Sequence, residues 1–571
     1  MASTSIDSVE NAFVEQAEYI DDSLFSQWLV QHPNEDEILR KLKASGAKLL
    51  SGPRGTGKTT LMLRARNQML KTNSDALPVY VNFKTSLRLE PLYRSSGNAS
   101  FWFKQWLLLR TAVGVAEAAG HLQMPFPWQS LKLPDQGVAQ RAIEALQSGS
   151  VELASSLIPE PLTTQSLVDV IRRSIGALGR VRAVLLFDDA AHAFSSEQQR
   201  DFFDFFREVK SPFVSPKAAI YPGVTDFSPS FHVGHDAEEV NVWLDPSEGN
   251  YLSFMESLLK KRLPLEIFTR LRADQDALNV LALAAFGVPR NFLNMIRDVI
   301  GEAASPQDRQ SQSIPRQRIL KAVGACGATS LQVFKSLKKK LPVYARFIEA
   351  GEDVLGRATA AVKDYNATTT KAATVTLALL HPVAPEVRTL FSFLQYAGLV
   401  RPRGDLKRGE KGTFWLLDIH YALLVDANAV VAKKSVGLSE LADRLAKRDA
   451  HAFVRVTSAK LLGASDIAAA LPLMLPPCSA CQTERATPTA KFCLNCGAPL
   501  TVSSTFETAV LQDLAVLPLT PNRVRSIKQH STIRTVKDIL LDKDHTELLR
   551  VHMIGPVWAT RISRYAEEFV E

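Results

Sequence analysis

Long apolar runs are missing from this 571-residue chain, and none of its segments is apolar enough for long enough to cross a bilayer. The first residues, Met1 to Phe25, are acidic and lack the basic-then-apolar layout of a secretion signal. The expectation is a cytoplasmic protein with no membrane partner. Cysteine is scarce, five residues in all. In a reducing compartment the four that form two Cys-x-x-Cys pairs speak for metal before disulfide. The fifth, Cys326, reads as a small buried hydrophobe. Internal repeats and long low-complexity tracts are also lacking, which leaves no repeat-built sensor. Charge of one sign is only mildly in excess: +8 at a pI near 9.1 favours a polyanionic partner weakly, so what matters is where the charge gathers. The remaining composition, 46% hydrophobic and 22% charged, is that of a globular protein too long for one core, with roughly three to five domains expected.

Asn34-Glu35-Asp36-Glu37 reads as a capped helix start before Ile38-Leu39. A short strand, Ala47 to Leu50, runs into a glycine-rich loop, a helix follows over Thr59 to Leu70, and a second strand spans Pro78 to Phe83. Strand, helix, strand at this spacing opens a parallel α/β sheet. Residues 97 to 180 read as mostly helical insertion, followed by strands over Ala183 to Phe187 and Lys217 to Tyr221. Helices dominate from Tyr251 to Asp298, and Gly301 to Pro315 reads as a linker.

The loop Gly52-Pro53-Arg54-Gly55-Thr56-Gly57-Lys58-Thr59, followed by Thr60, matches G-x-x-x-x-G-K-[ST] at every defined position, between a strand and a helix. Its glycines let backbone N–H groups close around phosphates at a helix N-terminus, where the dipole favours negative charge. Lys58 is expected to neutralise the β/γ-phosphates of ATP and Thr59 to ligate Mg²⁺. The apolar strand ending in Asp188-Asp189 places two carboxylates at the carboxyl edge of the sheet. Asp188 is expected to hold the magnesium and Asp189 to position the attacking water.

Gly287-Val288-Pro289-Arg290 opens a later helix. The order of P-loop, Asp-Asp strand, polar-ended strand and Gly-x-Pro-Arg resembles the AAA+ superfamily, nearest to ORC-type initiator ATPases, over roughly residues 30 to 300. The resemblance implies a nucleotide held between the sheet domain and a helical lid, with Arg290 as the sensor-2 arginine on the γ-phosphate and Thr225 as the candidate for the sensor-1 polar residue. Two departures stand out. Asp189 takes the place of the usual glutamate, so hydrolysis is expected to be slow. Between Lys217 and Lys260 there is neither arginine nor lysine, which argues against an arginine finger reaching a neighbouring protomer in the usual way. Arg200 and Arg207 are the possible substitutes.

Val387, Leu390, Phe391 and Leu394 fall at helical spacing on a segment ending at Gly398. The hairpin that follows carries Arg401, Arg403, Lys407, Arg408 and Lys411. Helix then basic wing resembles a winged-helix domain, in which the helix enters a DNA major groove and the wing approaches phosphates. Winged helices also serve as protein contacts. Lys338-Lys339-Lys340 reads as an exposed face. Cys478-x₂-Cys481-x₁₁-Cys493-x₂-Cys496 resembles a short zinc ribbon, four thiolates with no open position and therefore a structural Zn²⁺. The last segment, through Ile554-Gly555, looks like the helix-hairpin-helix fold found at the C-terminal end of the bacterial-type RNA polymerase α chain, though Met553 stands where a glycine is common.

These readings give a multidomain α/β chain: an N-terminal helical segment (1–33), an AAA+ parallel-sheet P-loop domain (34–245), its helical lid (246–300), linker and helices (301–372), a winged helix (373–430), a helical connector (431–475), the zinc ribbon (476–502) and an all-α helix-hairpin-helix module (503–571). The function they imply is an ATPase acting as a nucleotide-gated DNA-binding switch, with DNA, other protein subunits and further copies of itself as partners. A STAND-like signalling ATPase that oligomerises on ATP, as in antiviral defence, and the ATPase component of a replication or transposition machine are the alternatives.

Overall fold

The computed structural model describes residues 20 to 570 except 21, 72–73, 96–97, 190–194, 302–313, 370–371, 432–435, 448, 450, 486, 488–489, 491, 501–504 and 553. Most of the N-terminal segment, nearly all of the expected linker and the Met553 position lie outside the described residues. Among the described residues no helix is long and apolar enough to cross a membrane.

The chain opens with α1 (Asp22–Trp28) and α2 (Glu35–Lys43), then enters a five-stranded sheet: β1 (Lys48–Ser51), β2 (Ala76–Asn82), β3 (Arg182–Asp188), β4 (Val214–Ile220) and β5 (Glu238–Asn241). The order is β2-β3-β4-β1-β5 and every pair is parallel. A parallel sheet is covered on both faces, which is why β3 reads Ala-Val-Leu-Leu-Phe without alternation. One face carries α3 (Lys58–Lys71), while the other carries α4 (Ala99–His121), the helices of the 97–180 insertion and α5 (Ser196–Val209). Phe202, Phe203, Phe205 and Phe206 of α5 are buried around Phe187 and Phe83. Asn34 occupies the N-cap position of α2 but its side chain makes no capping bond. Glu35 instead turns inward, accepting from the His32 N–H (2.8 Å) and pairing with Arg64.

Four helices form the lid: α6 (Tyr251–Arg262), α7 (Leu265–Arg272), α8 (Gln275–Ala284) and α9 (Pro289–Gly301). They share one continuous apolar core with α10 (Arg316–Lys340), α11 (Ala345–Thr368) and a second sheet. That sheet runs β7-β8-β6-β9, built from β6 (Thr376–Leu380), the hairpin β7 (Val400–Lys407) and β8 (Thr413–Ile419), and β9 (Val454–Val456). The stretch read as a helical connector thus contributes a strand, parallel to β6. Between β6 and the hairpin lies α12 (Pro385–Tyr396), with Val387, Leu390, Phe391 and Leu394 inward as their spacing predicts. Phe393 and Tyr396 are buried too, so a second side of this helix is also covered. The four paired cysteines follow. A separate apolar core then gathers α13 (Thr505–Val510), α14 (Pro521–His530), α15 (Val536–Leu541) and α16 (Pro556–Val570).

Candidate functional site

The strand order creates the site. The glycine-rich loop leaves β1, the Asp188-Asp189 pair leaves β3, and β4 lies between them, so the residue leaving β4 stands between loop and carboxylates. That residue is Tyr221. Gly55 and Gly57 adopt φ of +88° and +90°, a conformation that costs other residues, and a Cβ on Gly52 would stand 2.8 Å from the Thr56 hydroxyl. Lys58, the first residue of α3, is buried; its ammonium donates to the carbonyls of Gly52 (2.6 Å) and Pro53 (3.1 Å) and lies 3.9 Å from the Tyr221 ring centroid. Burial lowers its pKa to about 7, against the opposing pull of Asp189 and Asp188.

Asp188 is buried, accepting from the Tyr80 hydroxyl (2.9 Å) and from the Asp189 N–H (3.1 Å). Asp189 sits at φ +52°, an uncommon conformation for a non-glycine residue, and accepts from the Tyr221 hydroxyl at 2.8 Å. Burial, with Asp189 next, pushes the Tyr221 phenol well above its ordinary range, so it stays a donor. Across the cleft Arg290 enters at the start of α9, its backbone N–H 3.4 Å from the Gly55 carbonyl. Thr59, Thr60, Lys84, Asp189 and Arg290 line the polar end. Trp28, Val30, Phe254, Leu258 and Leu293 line the other end. There His32, held neutral by burial with its pKa lowered to about 4, meets Phe254 edge-on at 5.8 Å.

These residues fit a nucleoside triphosphate with magnesium. A buried cation on carbonyls and a ring is short of a counter-anion, Gly57 faces open space where a Cβ would meet nothing within 4 Å, and the cleft pairs a polar end with an aromatic and aliphatic one. A parallel α/β sheet with its glycine-rich loop facing a helical lid is consistent with P-loop NTPase architecture. No protein-family model matches the chain, and no curated protein matches it. Among solved structures it is similar to the Walker-type ATPase PABY2304 of Pyrococcus abyssi, at 14% identity and a TM-score of 0.37, over 70% of this chain and 98% of that one. It is also similar to the Aeropyrum pernix ORC1 protein in complex with DNA (16%, TM-score 0.30, 75% and 96% covered) and to the ORC2 protein of that organism in ADPNP–ADP complexes (11%, TM-score 0.32, 75% and 98%).

Several expected residues stand elsewhere. Thr225 closes its own turn, its hydroxyl donating to the Tyr221 carbonyl at 2.8 Å, and Tyr221 holds the place facing the carboxylates. Arg200 pairs with Asp226 (2.9 Å) and Arg207 donates to the Ser230 carbonyl (3.0 Å). The helix α12, expected to enter a DNA groove, packs against the nucleotide domain: a Cβ on Gly223 would stand 2.0 Å from the Ser392 carbonyl oxygen, and Tyr396 meets Tyr221 at 6.1 Å between centroids. Arg401 of the wing is drawn inward, paired with Asp245 (3.0 Å) and donating to the Trp243 carbonyl (3.3 Å). Arg403, Lys407 and Lys411 remain exposed, while Arg408 bonds His451 at 2.9 Å. Lys338 pairs with Glu349, Lys339 bonds Gln512 and Lys340 lies 5.3 Å from the Phe569 ring centroid, so this cluster is a docking point and not a bare solvated face.

The four cysteine sulfurs lie within 4.8 Å of one another, Cys478 to Cys496 and Cys481 to Cys493 at 3.5 Å each. Gln482 and Gly497, each the residue after a Cys-x-x-Cys, take positive φ (+57° and +70°), turning both knuckles the same way. Sulfurs of a tetrahedral Zn–S site with bonds of about 2.3 Å stand roughly 3.8 Å apart, so the donor set fits Zn²⁺.

Proposed function

We propose that this chain is an ATPase of AAA+, ORC-like kind that binds ATP with magnesium and uses the nucleotide as a conformational signal for its distal modules. The observation that carries the reading is Lys58, buried at the mouth of the glycine-rich loop beside Asp189 with only weak anionic compensation. In this reading Gly52 to Thr60 cradle the phosphates and Trp28, Val30, Phe254 and Leu293 enclose the base. Thr59 and Asp188 hold magnesium, which supplies charge neutralisation at the phosphoryl oxygens. Asp189 is the acceptor for the attacking water, and its short side chain, held by Tyr221, supports slow turnover. Arg290 would sense the γ-phosphate and set the lid angle. The four cysteines hold a structural zinc.

The DNA-binding part rests on the exposed Arg403, Lys407 and Lys411, together with α12. Because α12 lies against the Gly223 turn, groove entry requires the winged module to leave the nucleotide domain, and this supports ATP-gated binding. The same packing favours a second reading, a STAND-like protein that opens and self-associates on ATP. Duplex binding titrated against salt, with ADP and with ATP, tests the first. Binding that appears with ATP, weakens with salt and is lost in Lys58→Ala supports it. No binding in either state, with a discrete ATP-dependent oligomer, supports the second.

A further inference from the structure

The helix-hairpin-helix module lies more than 400 residues from the glycine-rich loop in sequence, yet α16 ends on the nucleotide site. The Arg54 guanidinium donates to the backbone carbonyl of Glu568 at 3.1 Å. The Glu568 carboxylate stands 3.7 Å from the Arg290 guanidinium, and both side chains are largely shielded, at 16% and 23% exposure. The last carbonyls of a helix have no intrahelical partner and carry the negative end of its dipole. Both kinds of negative group, the side-chain carboxylate and the helix C-terminus, are thus presented to the two arginines flanking the phosphate cradle. A second set of contacts holds the module there: Lys340 over Phe569 and Lys339 on Gln512, both from α10. Arg54 and Arg290 both line the cleft, whereas nothing in a freely tethered DNA-binding module would call for a contact with either.

We propose that α16 is an intramolecular plug, its Glu568 standing in for a terminal phosphate, so that nucleoside triphosphate and the helix-hairpin-helix module compete for Arg54 and Arg290. This rests on the nucleotide reading above. Triphosphate brings more charge to both guanidiniums than one carboxylate and a carbonyl. Its binding therefore releases α16 and frees the module for a partner, while the docked module in turn weakens triphosphate binding by the same factor.

The test uses the full chain and a non-hydrolysable ATP analogue, comparing wild type with Glu568→Arg and Glu568→Gln for affinity and for backbone hydrogen exchange in α16. Glu568→Arg is expected to bind the analogue about three- to tenfold more tightly, the range of one partly buried charge-assisted contact, and Glu568→Gln about two- to threefold. In wild type the analogue is expected to raise exchange across α16; in Glu568→Arg exchange is already raised without it. Should Glu568→Arg disrupt the module as a whole, the charge-neutral variant still reports the competition. Equal affinities in all three chains, with α16 exchange indifferent to the analogue, overturn the plug and leave the nucleotide site standing. Absence of analogue binding in every chain overturns both.

Discussion

Removing one oxygen from Tyr221 isolates what this residue does. Its hydroxyl donates to Asp189 at 2.8 Å while its ring lies 3.9 Å from the Lys58 ammonium, so Tyr221→Phe deletes the first contact and keeps the second. A hydrogen bond to a charged acceptor contributes about 1.5–3 kcal/mol, and the half-buried state of Asp189 reduces this to about 1–2 kcal/mol. If that interaction orients Asp189 toward water, the loss falls on the transition state and kcat for ATP hydrolysis drops about 5- to 30-fold. Affinity for ATP stays within about threefold, because the lysine keeps its ring. Steady-state phosphate release and equilibrium binding of an ATP analogue separate the two effects. An unchanged kcat in Tyr221→Phe, or a loss of affinity equal to the loss of rate, refutes the positioning argument.

Four further outcomes follow from the same contacts. Gly223→Ala puts a Cβ at φ +84° and 2.0 Å from the Ser392 carbonyl; strain of about 1–3 kcal/mol is expected to part α12 from the nucleotide domain, and raised exchange in α12 measures it. Lys217 is buried with its ammonium on the Ala44 carbonyl at 2.8 Å, and burial lowers its pKa to about 7 from 10.5. The unfolded chain therefore holds more protons than the folded one between these values, so stability rises with pH from about 7 upward, by up to about 1.4 kcal/mol per pH unit. Denaturant melts at pH 7 and 9 should show this rise, and Lys217→Met should flatten it. Cys493→Ser is expected to lose bound zinc, read by metal analysis, with ATP binding retained. Three exposed wing cations predict that Arg403, Lys407 and Lys411 changed together to Ser lower the slope of log K against log salt for DNA by roughly 2.7; an unchanged slope removes the wing from the interface.

What is legible in the sequence is what local chemistry encodes. The P-loop, the Asp188-Asp189 strand and the cysteine knuckles each need fixed spacings within a few residues, and α12 is readable from its helical period. Strand β4 reads only from Lys217 because Pro216 precedes it, and proline argues against a central strand; the structure nonetheless pairs Pro216 with Leu185. β5 and β9 leave little signal because four and three residues carry too little periodicity. Tyr221, the pairing of Arg401 with Asp245 and the placement of Glu568 on Arg290 depend on strand order and module docking, to which no pattern along the chain is tied. Lys338-Lys339-Lys340 shows the same limit: a charge run reads as solvated until its long-range partners are in place.

Binding of magnesium-ATP to the full-length chain, wild type against Lys58→Ala, tests the central claim most directly. The account predicts saturable binding by wild type, with loss of at least about tenfold in affinity when the buried ammonium is removed. Equal binding by the two chains, or none by wild type, contradicts it.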